Sequence, residues 1–242
     1  MYIKGPYKHN NNHHKSYWLC LGMVILVIIP LACFSQGSAE TSKARGTPSK
    51  KPLPQPMVII DPGHGGSDPG ACQGEVMEKD INLAIAKRLL TYVEPFQVRL
   101  TRERDMDFTN QGIYSKATER QDLDQRIQIA HQYKGDLFIS IHVNSGVEKL
   151  RGPDVYYDPA DSESSRLARL IQEEMNDLTD MKMKKPRQGK FYLFENLEIP
   201  VVIVETGWLC QAEDRKKLQD PTYQDQMARA IGKGIERFFK EK

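Results

Sequence analysis

The segment Met57–Gly66, MVIIDPGHGG, constrains the fold of this chain more than any other stretch. Val58, Ile59 and Ile60 form a short apolar run, which predicts a strand buried on both faces. The run stops at a proline and a glycine, and His64 follows between glycines that permit close approach and positive φ. We therefore expect a sharp turn that holds an imidazole at the carboxyl end of a buried strand, the edge where open α/β sheets bind ligands.

Two later apolar runs end in the same way. Residues 136–141 predict a strand closed by His142, and residues 201–204 predict a strand closed by Glu205. Because parallel strands present their carboxyl ends at one edge of a sheet, we expect His64, His142 and Glu205 to meet there. Shorter strands are predicted at 96–101, 155–157 and 191–194. Their alternation with helical segments predicts an α/β fold, a single domain with a twisted, mostly parallel sheet and helices on both faces.

Glu78 joins these residues through its place on a predicted helix. It opens the stretch EKDINLAIAKRLLTYVE, in which apolar residues recur at helical spacing. Glu78 lies three positions before Ile81 and seven before Ile85, so it shares their inward face. A carboxylate buried there is costly unless it is paired or binds a metal.

Two histidines and one glutamate from separate elements are the ligand set typical of catalytic zinc, with a fourth position open to water. This pattern assigns Zn²⁺ binding to His64, Glu78 and His142, and the role of general base to Glu205. The competing interpretation is that each histidine is structural or solvated. The spacing alone favours that interpretation, because it lacks a compact motif such as HExxH. The repeated placement at strand ends favours the metal site.

Four motifs carry a family resemblance: DPGHGGSDPGA, EKDINLAIA, SIHVNSG and VETGWL, in this order. They resemble those of zinc-dependent N-acetylmuramoyl-L-alanine amidases of the amidase-3 type, from about Met57 to the C-terminus. The resemblance implies zinc bound by His64, Glu78 and His142, and catalysis by Glu205. It also implies the reaction, hydrolysis of the amide between N-acetylmuramic acid and L-alanine in peptidoglycan.

A narrower resemblance is to germination-specific spore-cortex amidases of the CwlD type. It rests on the long polar stretch after Thr101, on FYLFEN and on YQDQMARAIGKGIERFF near the C-terminus. It implies a role in spore cortex maturation or germination. Residues 207–211, GWLCQ, stand where the family often has GFLSN, so an aromatic residue is kept while the polar residues differ.

Two other functions stay open from the sequence. The same metal chemistry would serve a zinc peptidase that cuts within the stem peptide. A non-catalytic peptidoglycan-binding module is the other, although such a module is expected to lack Glu205 or a ligand, and all four residues are present. Arg102, Arg120 and Arg126 are candidates for binding peptide carboxylates, with structural ion pairs as the alternative. We expect most of the polar loop 101–118 to be a solvated surface segment.

The first 56 residues differ in composition from the rest. Residues 1–16 are polar and predict a cytoplasmic tail, and residues 17–34 form an uncharged apolar stretch of roughly the 18 residues that suggest a membrane span. An uncleaved transmembrane anchor is the favoured interpretation, and a signal peptide cleaved after Ala39 is the competing one. Residues 35–56 predict a flexible linker. Residues 57–242 are then an exported catalytic domain that faces the cell wall or spore cortex.

The remaining features limit the choice of partners. The net charge is +2, and no cluster of basic and aromatic residues predicts nucleic-acid binding. Cys72 and Cys210 fall on loops near the predicted site and are expected to be thiols, with a disulfide as the alternative in an exported domain. The sequence leaves open the oligomeric state and whether a protein partner is needed.

Overall fold

Apolar runs of the sequence form the strands of a six-stranded central sheet. The computed structural model describes residues 54–109, 112–146, 150–178 and 183–241. The strands of this sheet are β1 (Met57–Pro62), β4 (Gln97–Leu100), β5 (Leu137–Asn144), β6 (Asp154–Tyr157), β7 (Arg187–Gln188) and β8 (Val201–Trp208). A small separate hairpin is formed by β2 (Cys72–Gln73) and β3 (Val76–Met77). The helices are α1 (Glu78–Leu89), α2 (Lys116–Gln132), α3 (Ser162–Asn176), α4 (Tyr192–Asn196), α5 (Ala212–Leu218) and α6 (Pro221–Lys240), and a 3-10 turn (Leu90–Tyr92) follows α1.

The strand order of the sheet is β4-β1-β5-β8-β6-β7. The first four strands are parallel to one another, whereas β6 pairs antiparallel with β8 and β7 runs parallel to β6. The prediction of a mostly parallel sheet with helices is confirmed, with an antiparallel edge in addition. The connection from β5 to β6, residues 145–153, is shorter than the about a dozen residues that a parallel crossover needs, so β6 returns in the opposite direction.

Side chains of the parallel strands alternate between two buried faces. Val58 and Ile60 belong to an apolar cluster with side chains of α1, α3 and α6, whereas Ile59 belongs to a second cluster with side chains of α2 and α4. All three are 0% exposed, and each such side chain contributes roughly 1.5–3 kcal/mol relative to an exposed position. The continuous apolar run of β1 is therefore explained by helices on both faces, as predicted.

One predicted strand is wrong. Residues 191–194 do not extend as a strand, because the chain turns into α4 at Tyr192. Leu193 and Phe194 are neighbours in sequence and are both buried in the same apolar cluster. A strand would send them to opposite sides, whereas a helical turn lets both face the sheet.

The predicted tail, membrane segment and nearly all of the linker lie outside the described residues, which begin at residue 54. Among the described residues, no helix has both the length and the apolar character needed to cross a bilayer.

Candidate metal centre

His64 lies two residues after the end of β1 and has a backbone conformation that few non-glycine residues adopt. The Gly63 N–H donates to the Ile141 carbonyl at 2.9 Å, so sheet pairing continues into the turn. His64 itself has a φ of 61°, in the left-handed region that disfavours side chains by roughly 1–2 kcal/mol. A Cβ on Gly63 would clash with the ring of His142. The glycine therefore lets the two imidazoles approach, with ring centroids 4.8 Å apart.

Glu78 is the first residue of α1, and each of its two carboxylate oxygens accepts a hydrogen bond from a backbone N–H. It is 4% exposed, and its Oε2 accepts from Ala71 N at 2.8 Å while Oε1 accepts from Val143 N at 2.9 Å. Oε1 also lies 3.2 Å from His64 Nε2 and 2.9 Å from His142 Nδ1. The three side chains predicted as ligands thus converge, with one ligand atom from each within 4.8 Å of the others.

The two histidines present different ring nitrogens to Glu78. Nδ1 of His64 lies 2.6 Å from Oδ2 of Asp68. An ionised carboxylate only accepts, so this Nδ1 carries a proton and Nε2 is the nitrogen left for a metal. Asp68 is fixed in turn by the Gly70 N–H, which donates to its Oδ1 at 3.0 Å. Asp68 did not stand out in the sequence, where its one signal is a position four residues after His64 in the same glycine-rich turn.

The charges of this cluster depend on one another. Burial alone would lower the pKa of His64, but hydrogen bonds to Asp68 and Glu78 raise it well above its ordinary value. Burial alone would raise the pKa of Glu78, yet His142 and His64 hold it far below its usual range. The cluster therefore keeps its carboxylate ionised and attracts positive charge, which is the condition for binding a cation.

Glu205 is the cross-strand partner of His142 in the pairing of β5 with β8. Paired strands lie about 4.8 Å apart, and directly paired residues point to the same face. Its Oε2 is buried and has no hydrogen-bond partner within the described part of the chain. Burial and the negative charge of Glu78 raise the pKa of Glu205 to about 8. A carboxyl group in this state is suited to proton transfer near neutral pH.

One open cleft of about 510 Å³ contains all four predicted site residues. It lies at the carboxyl-terminal parts of β1, β5 and β8, and the half-exposed ring of Tyr114 forms part of its wall. His142 and Glu205 do not close their strands as predicted, because β5 continues to Asn144 and β8 to Trp208. A larger groove of about 760 Å³ beside α3 is lined by none of these four residues. The candidate site is therefore not in this larger groove.

The arginines considered as substrate ligands have other roles. Arg102 and Arg126 are 2% and 1% exposed. The alternative of a structural ion pair is correct for Arg126, which pairs with Asp61 and Asp122, whereas Arg102 binds backbone oxygens instead. The guanidinium of Arg120 stacks on Tyr192, with 3.8 Å from Cζ to the ring centroid. Cys72 and Cys210 are not joined in a disulfide, as the sequence analysis favoured.

Part of the polar loop that was expected to be solvated is bound to the turn of His64. Asp105 Oδ1 accepts from Gly66 N, and Asp107 Oδ2 accepts from the N–H and the hydroxyl of Ser67, each at 2.8 Å. Lys79 Nζ donates to Gly66 O at 2.9 Å and to Asp105 at 2.8 Å. This part of the loop supports the turn of His64. The polar composition of the loop alone does not predict that role.

The chain is similar to several known proteins over most of its length. The family model described as N-acetylmuramoyl-L-alanine amidase, Amidase_3, matches residues 58–237. The germination-specific N-acetylmuramoyl-L-alanine amidase of Bacillus subtilis is 34% identical over 236 residues, which cover 94% of this chain and 97% of that protein. The structure of the CwlD amidase from Clostridioides difficile, in complex with the GerS lipoprotein, is similar with a TM-score of 0.71 and 34% identity over 78% of this chain and 100% of that chain. The catalytic domain of CwlV from Bacillus (Paenibacillus) polymyxa has a TM-score of 0.66 and 29% identity, covering 78% of this chain and 100% of that chain.

Proposed function

Because the chain belongs to the Amidase_3 family of N-acetylmuramoyl-L-alanine amidases, which act on peptidoglycan, we propose a specific mechanism for it. It hydrolyses the amide between the lactyl group of N-acetylmuramic acid and L-alanine, with zinc held by His64, Glu78 and His142 and with Glu205 as the general base. The observation that carries this proposal is the convergence of both histidines on one carboxylate oxygen of Glu78.

The donor set fits zinc in number and type, and the distances from Glu78 to the two histidines also fit. Two ligands at 2.0–2.1 Å from a tetrahedral zinc lie roughly 3.3 Å apart, and Glu78 Oε1 is 3.2 Å from His64 Nε2 and 2.9 Å from His142 Nδ1. Three protein donors leave a fourth position, which is typical of catalytic rather than structural zinc. When bound, zinc supplies Lewis-acid chemistry, since it polarises a carbonyl and lowers the pKa of water.

Glu205 is proposed to move the proton. Its Oε2, which has no hydrogen-bond partner among the described residues, accepts a proton from the attacking water while the water oxygen bonds to the carbonyl carbon. Glu205 then delivers this proton to the amide nitrogen as the carbon–nitrogen bond breaks. The products are a lactyl carboxylate and the free amine of L-alanine. A neighbouring cation lowers the pKa of a carboxyl group, so metal binding is expected to return Glu205 to its basic form at neutral pH.

Asp68 is proposed to orient His64. Its carboxylate fixes the proton on Nδ1 and so keeps Nε2 available. Outer partners of this kind typically change metal affinity by about 10- to 100-fold.

We propose spore cortex peptidoglycan as the substrate. The support is the 34% identity to the germination-specific amidase of Bacillus subtilis over nearly the whole of both chains. A protein partner is also proposed, because the similar amidase of Clostridioides difficile was solved in complex with a lipoprotein. Cleavage of vegetative peptidoglycan as fast as cortex peptidoglycan would contradict the proposed substrate. Full activity of the zinc-loaded protein alone would contradict the need for a partner.

The N-terminal residues are proposed to place the enzyme outside the cytoplasm. Residues 17–34 form an uncharged apolar segment and residues 35–56 a linker rich in serine, lysine and proline, so the domain 57–242 would face the wall or cortex. Sequencing the N-terminus of the protein from cells distinguishes the alternatives. An anchor keeps residues 1–16, whereas a signal peptide leaves a chain that begins after Ala39.

The test of the reaction is mass spectrometry of the products that the zinc-loaded protein releases from purified cortex and vegetative peptidoglycan. We expect intact stem peptides that begin with L-alanine. Peptides cut internally, with L-alanine still attached to the glycan, would replace the amidase by a stem-peptide peptidase. Zinc binding without any cleavage would favour a binding module.

A further inference from the structure

Two buried arginines hold the turn that carries His64. Arg126 donates Nη1 to the carbonyl of Pro62 and Nη2 to the carbonyl of His64, each at 2.9 Å. Arg102 donates Nε to the Pro62 carbonyl at 2.9 Å and Nη2 to the Gly63 carbonyl at 3.0 Å. Two guanidinium groups therefore fix three consecutive carbonyl oxygens.

These contacts bear directly on the unusual conformation of His64. The φ and ψ angles of a residue are the rotations between its two flanking peptide planes. Arg102 holds the plane before His64 through the Gly63 carbonyl, and Arg126 holds the plane after it through the carbonyl of His64 itself. The φ of 61° costs roughly 1–2 kcal/mol for a non-glycine residue, so it persists only where the surroundings impose it.

Arg126 is itself rigidly placed. Its Nη1 lies 2.6 Å from Asp61 Oδ1 and its Nε lies 2.6 Å from Asp122 Oδ2. Asp61 also accepts from the hydroxyls of Thr101 at 2.6 Å and Ser140 at 2.7 Å. The guanidinium is thus bound to β1 and α2 directly, and Asp61 connects it further to Thr101 and to β5.

Arg102 connects the turn to the helix that carries the second ligand. Its Nη2 also donates to the carbonyl of Lys79 at 2.8 Å, one residue after Glu78. All of its hydrogen bonds to described residues go to backbone oxygens. Burying a cation without a hydrogen-bonded carboxylate is costly, and apolar packing alone would be satisfied by methionine or leucine. The position therefore uses the guanidinium fork itself, which binds several oxygens in fixed directions.

We propose that Arg102 and Arg126 are positioning residues of the metal centre. By holding the peptide planes on both sides of His64, they keep its imidazole directed at Glu78 and thereby set the affinity for zinc. The inference rests on the proposed zinc site and adds to it the residues that give the site its shape.

The test uses Arg102→Lys and Arg126→Lys in the full chain, because lysine keeps the charge but not the fork. Zinc affinity is measured against a competing chelator, and bound Co²⁺ is examined by its visible absorption. We expect affinity to fall by about 10- to 100-fold, as for other outer partners of metal ligands, with a changed Co²⁺ spectrum. Turnover should recover when zinc is raised to saturation.

Arg166→Lys is the matched control. Arg166 also donates to two backbone carbonyls, those of Phe238 at 3.0 Å and Glu241 at 2.8 Å, but these carbonyls belong to the end of α6 and not to the turn of His64. Its zinc affinity should stay within about twofold of the wild-type value. If lysine prevents folding, Arg102→Gln keeps an amide donor without the buried charge and is measured instead.

The outcomes separate this inference from the proposed function. Variants that are less stable yet bind zinc as tightly as the wild type, with the same Co²⁺ spectrum, would overturn the positioning role and leave the zinc site intact. A wild-type chain that binds no zinc would overturn the proposed function itself.

Discussion

Asp61 and Glu205 each have a buried carboxylate oxygen and lie on the two strands that flank β5, β1 and β8. Their pKa values are shifted in opposite directions. Asp61 accepts from Thr101, Ser140 and Arg126, and although burial opposes it, these partners hold its pKa below the ordinary value. No residue that the structure describes bonds to Oε2 of Glu205, and burial together with the charge of Glu78 raises the pKa of Glu205 to about 8.

The difference shows how one sheet edge separates stability from chemistry. A buried carboxylate with every oxygen satisfied strengthens the fold and has no reason to exchange protons. A buried carboxylate with an oxygen left open destabilises the fold when ionised, and it is therefore a candidate for reaction. Substitutions at Asp61 and Glu205 should consequently affect different measurements.

Glu205→Gln should have the largest effect on turnover. Removing a general base typically lowers the rate by about 10²- to 10⁴-fold, and zinc should still bind because no proposed ligand is changed. The measurement is initial rate at saturating zinc, together with metal content. Near-normal turnover of this variant would show that Glu205 is not the general base. It would also contradict the view that Glu205 serves the reaction whereas Asp61 serves the fold.

Asp61→Asn should have the largest effect on stability. It leaves Arg126 with a buried charge that has lost one of its two carboxylate partners, which typically costs about 3–5 kcal/mol. Urea unfolding measures this loss, and Ser140→Ala, which removes one neutral donor, should cost only about 1 kcal/mol. An equal, small loss in both variants would show that the Asp61 network is not the support that the contacts suggest.

The pH dependence of the two carboxylates should have opposite signs. Between its ordinary value of 4.5 and about 8, folded Glu205 retains a proton that the unfolded chain has released. The unfolding free energy of the metal-free protein should therefore fall as pH rises through this window, by an amount on the order of 5 kcal/mol.

Asp61 should act in the other direction. Its lowered pKa contributes stability that is present above the ordinary carboxyl value and is lost as pH falls below about 4. The free energy of unfolding of the wild type, Glu205→Gln and Asp61→Asn, measured from below pH 4 to pH 8, tests the direction of both pH effects. A Glu205→Gln slope identical to that of the wild type between pH 5 and 8 would contradict the raised pKa.

Asp68 differs from both Asp61 and Glu205, because it is partly exposed and its oxygens bind His64 and the Gly70 N–H. Asp68→Asn should weaken zinc binding by about 10- to 100-fold with little loss of stability, and added zinc should restore turnover. Competition with a chelator measures the affinity. A loss of turnover that no zinc concentration restores would instead give Asp68 a direct role with the substrate.

The sequence predicts the candidate ligands and Glu205 better than the residues that hold them in place. His64, His142 and Glu205 each follow an apolar run, and parallel strands bring such positions to one edge. Glu78 is inferred from helical spacing. Each of these signals is local, so short windows of sequence are sufficient to find them.

The supporting residues leave weaker signals because their roles depend on contacts between distant segments. Asp61 and Arg126 are 65 positions apart, and no local period connects them. Arg102 looks like any polar loop residue until its burial is known. The left-handed φ of His64 and the helical turn at Tyr192 likewise follow from packing, which pattern alone does not contain.

The most direct test of the central claim is zinc stoichiometry of the purified full chain, measured by elemental analysis for the wild type, Glu78→Ala and Glu205→Gln. The account predicts one zinc per chain in the wild type and in Glu205→Gln, and none in Glu78→Ala while that variant remains folded. Equal zinc in folded Glu78→Ala and in the wild type would contradict the site formed by His64, Glu78 and His142.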